Sequence, residues 1–413
     1  MVNMFVSLSI IFLVGVLISI IFPKIRIPSL IGFLLLGIGM QYLGLMDDSL
    51  LNISSEIRNI ALVIILLKAG LSLNFNDLKR VGRPAILLCF IPATFEIIAM
   101  AIVGPLMLGL TVVESLIIGT VLGAVSPAVV VVRMANLIDK NIGTKNSIPQ
   151  MIIAGSSADD VYCIVIFMAL VNMLAHGSGT NFDPMTLIKI PTSLIFGVGA
   201  GIILGFLCSL IFKKIHIRDT YKIIILIGLS VLLLYVEGVL DPTPVSLSSF
   251  LGVISMGIIV FARRPAVAHR LTTKFDKIWV FSEMFLFVFV GTSVKVETLG
   301  DAGWLLIIAL LIAMVFRLAA TFICLIKTPL TFKEKMFVAI SEIPKATVQA
   351  AIGGTLIGMS GIDQGYADLV LTISVLSILI FAPLGAILMD ATYKALLVPK
   401  NKDNLINPPS STV

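Results

Sequence analysis

Charge is scarce in this sequence: only 13% of its 413 residues are Asp, Glu, Lys or Arg. A soluble domain uses about 25% to coat itself with a wettable surface, so a soluble enzyme is excluded. Cysteine is scarcer still. Cys89, Cys163, Cys208 and Cys324 all fall inside apolar runs, which excludes a disulfide framework and any zinc-binding spacing. The three histidines, His176, His216 and His269, lie in or beside polar connections and build no metal or catalytic cluster. Period-two alternation is also missing. Runs such as Leu62-Val63-Ile64-Ile65-Leu66-Leu67 do not alternate, which argues against a transmembrane β-barrel. The formal charge of +6 is scattered in twos and threes between apolar stretches, so it forms no basic face for nucleic acid.

What the chain has is length of apolar sequence: 58% of its residues are hydrophobic and its mean hydropathy is +1.12. A helix in hydrocarbon satisfies its own backbone, and about 20 apolar residues cross the core at 1.5 Å each. Thirteen stretches qualify, at about 2–22, 28–46, 57–76, 84–108, 112–133, 148–174, 188–213, 221–238, 247–263, 276–293, 301–326, 334–357 and 367–391. The expected fold is an all-α polytopic membrane protein of about thirteen transmembrane helices. The first stretch has no basic residue before it and no small-x-small cleavage site after it, so it reads as a retained helix.

Basic residues orient the chain. Connections after odd-numbered stretches, with the C-terminal tail, hold 23 Lys and Arg, whereas those after even-numbered stretches hold 3, namely Arg58, Lys189 and Lys295. By the positive-inside rule the N-terminus is outside and the C-terminus cytoplasmic. Lys68, Arg317 and Lys345 remain within the predicted membrane.

An internal repeat is legible. Gly70 closes the third stretch and Gly291 the tenth; Glu96 follows the first at +26, as Arg317 follows the second. Ser126-Pro127 lies at +56 and +57 in one copy, and Pro344-Lys345 at +53 and +54 in the other. Stretches three and ten differ by an odd number, so the copies run in opposite directions, the inverted-repeat plan of secondary transporters. Pro127 and Pro344 either kink their helices or break them near the midplane, leaving unwound segments at Ala124-Val125-Ser126-Pro127 and Glu342-Ile343-Pro344-Lys345.

A charge inside the bilayer needs a partner or a cavity. The sixth stretch holds Gly155-Ser156-Ser157-Ala158-Asp159-Asp160, and neighbours on a helix point about 100° apart, so one acid can face a cavity while the other turns to a base. Such a pair holds protons or a small cation, or is a structural pair neutralised by Arg317 or Lys345. Na+ or Li+ requires oxygen ligands, and those available are Asp159, Asp160, Ser157, Ser126 and carbonyls freed at a broken helix. Glu96 and Arg317, at matching repeat positions, are predicted to pair. Arg317 cannot shuttle protons. Lys345 either carries a proton or pairs with Glu342 three residues earlier, and Lys68 is expected to snorkel or to act within the membrane.

Lys68-Ala69-Gly70-Leu71, Ser126-Pro127-Ala128-Val129-Val130, Ala158-Asp159-Asp160 and above all Ile343-Pro344-Lys345-Ala346-Thr347-Val348-Gln349-Ala350-Ala351 resemble the cation:proton antiporter superfamily. The resemblance is to its branch with two adjacent aspartates, including bacterial Na+/H+ antiporters and the animal sodium/hydrogen exchanger-like proteins. It implies a lipid-embedded homodimer without a cofactor, serving pH homeostasis, whose core moves like an elevator against a dimerisation domain. Asp160 would be the obligatory cation and proton carrier, with Asp159 beside it. Classical electrogenic members carry a lysine where Arg317 stands, so ion stoichiometry does not transfer. The expected domains are 1–56, first part of the dimerisation domain; 57–174, core repeat 1; 175–275, interface and linker; 276–394, core repeat 2; and 395–413, a short cytoplasmic tail. The expected activity is exchange of Na+ or Li+ for H+, with K+/H+ exchange or a Na+-coupled organic anion carrier as alternatives, in a bacterial plasma membrane. Intramembrane proteolysis is disfavoured. Gly358-Met359-Ser360-Gly361 has no histidine after His269 to serve it, and the Gly-x-Gly-Asp of the aspartyl type is absent.

Overall fold

The computed structural model describes residues 3–25, 27–72, 82–176, 184–215, 217–240, 247–294, 298–345, 347–359 and 361–397. The side chains of Ala128, Ser157, Ala158, His176, Leu194 and Thr347, and those of residues 184–191 and 298–302, also lie outside the description. Of the residues singled out in the sequence, Arg26, Lys79, Arg80, Lys189, His216, Lys295, Ser360 and the tail beyond 397 therefore receive no account.

The described residues are helical, and seven helices among them are long and apolar enough to cross a membrane. They are Met4–Lys24, Arg83–Leu108, Ile148–Ala175, Ile195–Lys214, Asp219–Leu240, Gly303–Cys324 and Gln364–Leu396, with shorter apolar helices at Ser29–Tyr42, Val112–Gly123 and Ser249–Arg263. The first elements are α1 (Met4–Lys24), α2 (Ser29–Tyr42), the short α3 (Asp48–Asn52) and α4 (Ser54–Ser72). The predicted span 84–108 crosses as one run but is not regular throughout, being built of α5 (Arg83–Leu88) and α6 (Ile91–Val103), then a π turn at Gly104–Leu108. Pro92 and Pro105 explain both departures, because neither ring carries an N–H for the ladder and each crowds the preceding turn.

Next come α7 (Val112–Gly123), α8 (Pro127–Asp139), α9 (Ile148–His176), α10 (Pro184–Lys214), α11 (Asp219–Leu240) and α12 (Ser249–Arg263). Helix α13 (Pro265–Thr292) begins with a proline at its first turn and meets no further Pro or Gly before Gly291, so it runs unbroken through the predicted boundary at 275/276. The chain ends with α14 (Thr298–Cys324), α15 (Phe332–Ser341), α16 (Thr347–Gly353) and α17 (Gln364–Leu396).

Packing sorts these helices into two groups. Helices α2, α4, α12 and α13 pack on one another, with α10 against α12 and α1 against α2. The second group places α6 against α7 and α14, α9 against α7 and α8, and α17 against α15 and α16. Within the first group two crossings bring backbone against backbone. A Cβ on Gly70 would strike the Ile254 carbonyl beside Gly257, and one on Gly291 would strike the Leu34 carbonyl beside Gly37. Small residues at such crossings let membrane helices exchange close van der Waals contact where no hydrophobic drive separates lipid from protein. At this interface the Lys68 Nζ reaches out to pair with the solvent-exposed Asp276 of α13 at 2.7 Å.

Two helices in the second group are interrupted. The α7–α8 pair parts at Ala124-Val125-Ser126, and α15 and α16 part at Ile343-Pro344-Lys345. A residue before proline is pushed to extended geometry, and Ser126 takes ψ 106° before Pro127, which then opens α8. Both interrupted helices start with a capping box, Thr111 with Glu114 and Thr331 with Glu334. Each box satisfies otherwise orphaned amides reciprocally.

Gly291→Leu and Gly70→Leu are each expected to destabilise the fold by about 1–3 kcal/mol, as overpacking does. The melting temperature of purified protein in detergent measures this, and Gly39→Leu, where a Cβ meets nothing within 4 Å, should leave it nearly unchanged.

Candidate functional site

The two interruptions meet. The Ser126 amide donates to the Pro344 carbonyl at 2.9 Å, so the extended segments hold each other by main chain. Interrupting a helix strips partners from carbonyls at the end of one half and amides at the start of the next, and hydrocarbon offers none in return. Here five of these groups find side chains. Lys345 Nζ caps the Leu122 carbonyl, Arg317 Nη1 the Gly123 carbonyl and Gln349 Nε2 the Ala124 carbonyl. The Val125 amide donates to Asp159 Oδ2 at 2.9 Å, and Arg317 Nε reaches the Glu342 carbonyl at 3.1 Å.

The ionisable groups form one network. Arg317, fully buried, donates through Nη1 to Glu96 Oε2 and through Nη2 to Asp159 Oδ2 and Glu342 Oε2, each at 2.9 Å. Lys345, also fully buried, donates to the same Glu96 oxygen at 2.8 Å. Arg317 thus pairs with Glu96 and with Asp159 together. Glu342 turns to Arg317 instead of forming an ion pair with Lys345 three residues on. With every group ionised, three carboxylates (Glu96, Asp159, Glu342) face two cations, and Asp160 adds a fourth negative charge.

Asp159 and Asp160 have parted roles. Asp159 is committed to Arg317 and the Val125 amide, whereas Asp160 Oδ1, buried, has no hydrogen-bond partner. Ser126 Oγ is buried and unpartnered as well, although Ser126 occupies the N-cap position of α8, where a serine hydroxyl ordinarily bonds the first turn. The backbone of Ser157 is helical and its side chain lies outside the described residues. Pro127 opens α8, and Pro344 supplies the carbonyl that joins the breaks. Among the described residues no three His, Cys, Asp or Glu side chains converge as a metal cage.

Four polar residues within the predicted spans were not singled out from sequence. Gln349 stands out only as an amide in an apolar half-helix, and Thr94 and Tyr162, whose hydroxyls meet at 2.6 Å, carry no charge to draw notice. Glu283, an acid within the predicted span 276–293, was overlooked.

A family model described as "Sodium/hydrogen exchanger, transmembrane" matches residues 8–389. The chain belongs to that family. Among relatives of this exchanger-family chain, sodium/hydrogen exchanger 9B2 of Xenopus tropicalis is 30% identical over 412 residues, spanning 94% of this chain and 74% of the relative. The human 9B1 exchanger is 29% identical over 373 residues, spanning 88% of this chain and 71% of its own length. Among solved structures, the sodium proton antiporter MjNhaP1 from Methanocaldococcus jannaschii superposes with a TM-score of 0.76 at 23% identity, covering 94% of this chain and 98% of that one. The exchanger family and this fold make the chain an integral membrane protein, a cation:proton antiporter of the exchanger type.

Replacing Arg317 by Met would strip the donor from the Glu342 carboxylate and the Gly123 carbonyl, and one donor each from Glu96 and Asp159, which keep Lys345 and the Val125 amide. Breaking a buried ion pair by removing one partner costs about 3–5 kcal/mol. The expected result is loss of monodisperse protein on size exclusion, and Arg317→Lys should not restore it, because an ammonium lacks the planar fork that reaches Glu96, Asp159 and Glu342 at once.

Proposed function

We propose that the protein exchanges Na+ or Li+ for H+ at Asp160. The observation carrying this reading is the carboxylate oxygen of Asp160, buried and unpartnered beside a network whose acids outnumber its bases. A monovalent cation or a proton offsets the excess negative charge, and occupancy of one carboxylate by either excludes the other. Competition of this kind is enough to couple the two fluxes. Ser126, the Ser157 hydroxyl and Asp159 are the proposed oxygen neighbours of the ion, with Glu96, Arg317 and Lys345 as the charges that hold the crossing together.

The movement is proposed to be elevator-like. The second packing group, with both interrupted helices, would be the moving core, and the first group the stationary dimerisation scaffold. This places α4 and α13, which lie mostly in the stretches 57–174 and 276–394 expected to be core, on the scaffold side, in keeping with their packing on α2 and α12. Thirteen crossings in two inverted copies, an external N-terminus and a cytoplasmic C-terminus complete the reading. The matched capping boxes, at Thr111 and Thr331, and the matched glycine crossings, at Gly70 and Gly291, support the repeat. A homodimer in a bacterial plasma membrane, without a cofactor, is the proposed setting.

The test is cation-induced dequenching of a pH dye in proteoliposomes under an imposed proton gradient. Wild type should respond to Na+ and Li+, and Asp160→Asn should fall to background. A response to K+ alone would favour K+/H+ exchange through the same site, and indifference to all three ions would overturn the reading.

A further inference from the structure

Away from the crossing, Glu283 is an acid within a predicted membrane span for which no ion pair is found among the described residues. Glu283 sits within α13, two turns and about 10 Å beyond the solvent-exposed Asp276. It is half-buried, and among the described residues its carboxylate has no hydrogen bond or ion pair. Lys68 lies within electrostatic reach, but its ammonium is held by Asp276 at 2.7 Å. An ionisable side chain at this depth needs either a partner or water, and water is what the geometry supplies.

Glu283 lines a cavity of about 430 Å³ between the two packing groups, shared with Pro28, Ser29, Val129, Arg133 and Asp390. The other charges in its wall cancel. Arg133 Nε and Nη2 grip Asp390 Oδ1 and Oδ2 at 3.1 and 3.2 Å, and Arg133 Nη1 bonds the Val129 carbonyl at 3.0 Å. Glu283 therefore sets the sign of the cavity. Val129, the lining residue of α8 nearest the break, lies one turn along the helix from Ser126, so the cavity borders the half-helix that begins at the unpartnered Ser126 hydroxyl. Low-dielectric walls with one uncompensated carboxylate focus the field and concentrate cations.

We propose that Glu283 is a positioning residue for transport: it gathers a monovalent cation in the cytoplasmic vestibule and stages it for Asp160. This rests on the exchange reading above. Glu283 belongs to the scaffold while Arg133, Asp390 and Asp160 belong to the core, so Glu283 serves the site only while the core faces the cytoplasm. Its effect is one-sided.

The experiment measures Na+-driven proton movement in everted and right-side-out vesicles for wild type, Glu283→Gln and Glu283→Asp, with melting temperatures of the purified proteins alongside. Glu283→Gln should raise the half-saturating Na+ concentration at the cytoplasmic face roughly threefold to tenfold, with the maximal rate and the opposite face unchanged. The shift should shrink as choline chloride screens the field, and Glu283→Asp should largely restore the wild-type value. Equal shifts at both faces, or no shift at either, would overturn the proposal. So would a fall in maximal rate with unchanged half-saturation, which would make Glu283 the counter-charge that catches Arg133 when the core swings. Wild-type vesicles without exchange in either orientation would instead sink the exchange reading itself.

Discussion

Arg317 is the constraint on which the crossing depends, because one planar fork satisfies five groups from four segments of chain. It takes a carboxylate from α6 (Glu96), one from α9 (Asp159) and one just past α15 (Glu342), along with the Gly123 and Glu342 carbonyls. A buried guanidinium is costly to desolvate, and it is retained only where most of its donors find acceptors in good geometry. Here the acceptors are the groups that two broken helices leave bare. The break and the buried charge therefore stabilise each other: without the interruption there would be no free Gly123 carbonyl, and without Arg317 the interruption would be unsatisfied in hydrocarbon.

Much of this was legible in sequence, for reasons that can be named. Hydrophobic runs report span positions because lipid tolerates so few charges, and Pro127 and Pro344 stood out by their matching repeat positions, whereas Pro383 sits inside the unbroken α17. Glu96 and Arg317 were predicted to pair from their equal offsets, and the structure brings them to 2.9 Å. What escaped is equally physical. The sequence does not say that one guanidinium takes three acids, since ion-pair partners are chosen in space. Nor did it show that α13 continues upstream to Pro265, because polarity at its start reads as a connection even where the helix does not stop. Gln349 and Glu283 were missed for opposite reasons: the first has no charge, and the second has one but lies outside the matched repeat positions.

The two packing groups also differ in how they are held. The first is joined by glycine crossings and the second by a charge network around the breaks. Close backbone packing resists sliding because interlocked neighbours have no slack to take it up. A bonded network with partners from several helices favours moving as one body, since any helix left behind would orphan a buried polar group. These two kinds of cohesion would suit the frame and the carriage of the proposed elevator movement.

The split between Asp159 and Asp160 has a consequence for how such a protein can diverge. Asp159 is bound by the amide of Val125 and by Arg317, so its replacement disturbs three elements at once. Asp160 Oδ1 holds nothing together. Adjacent in the chain and identical in chemistry, the two acids would tolerate change differently: a substitution at 159 disturbs the architecture of the crossing, whereas one at 160 would remove, on the exchange reading, a ligand of the ion.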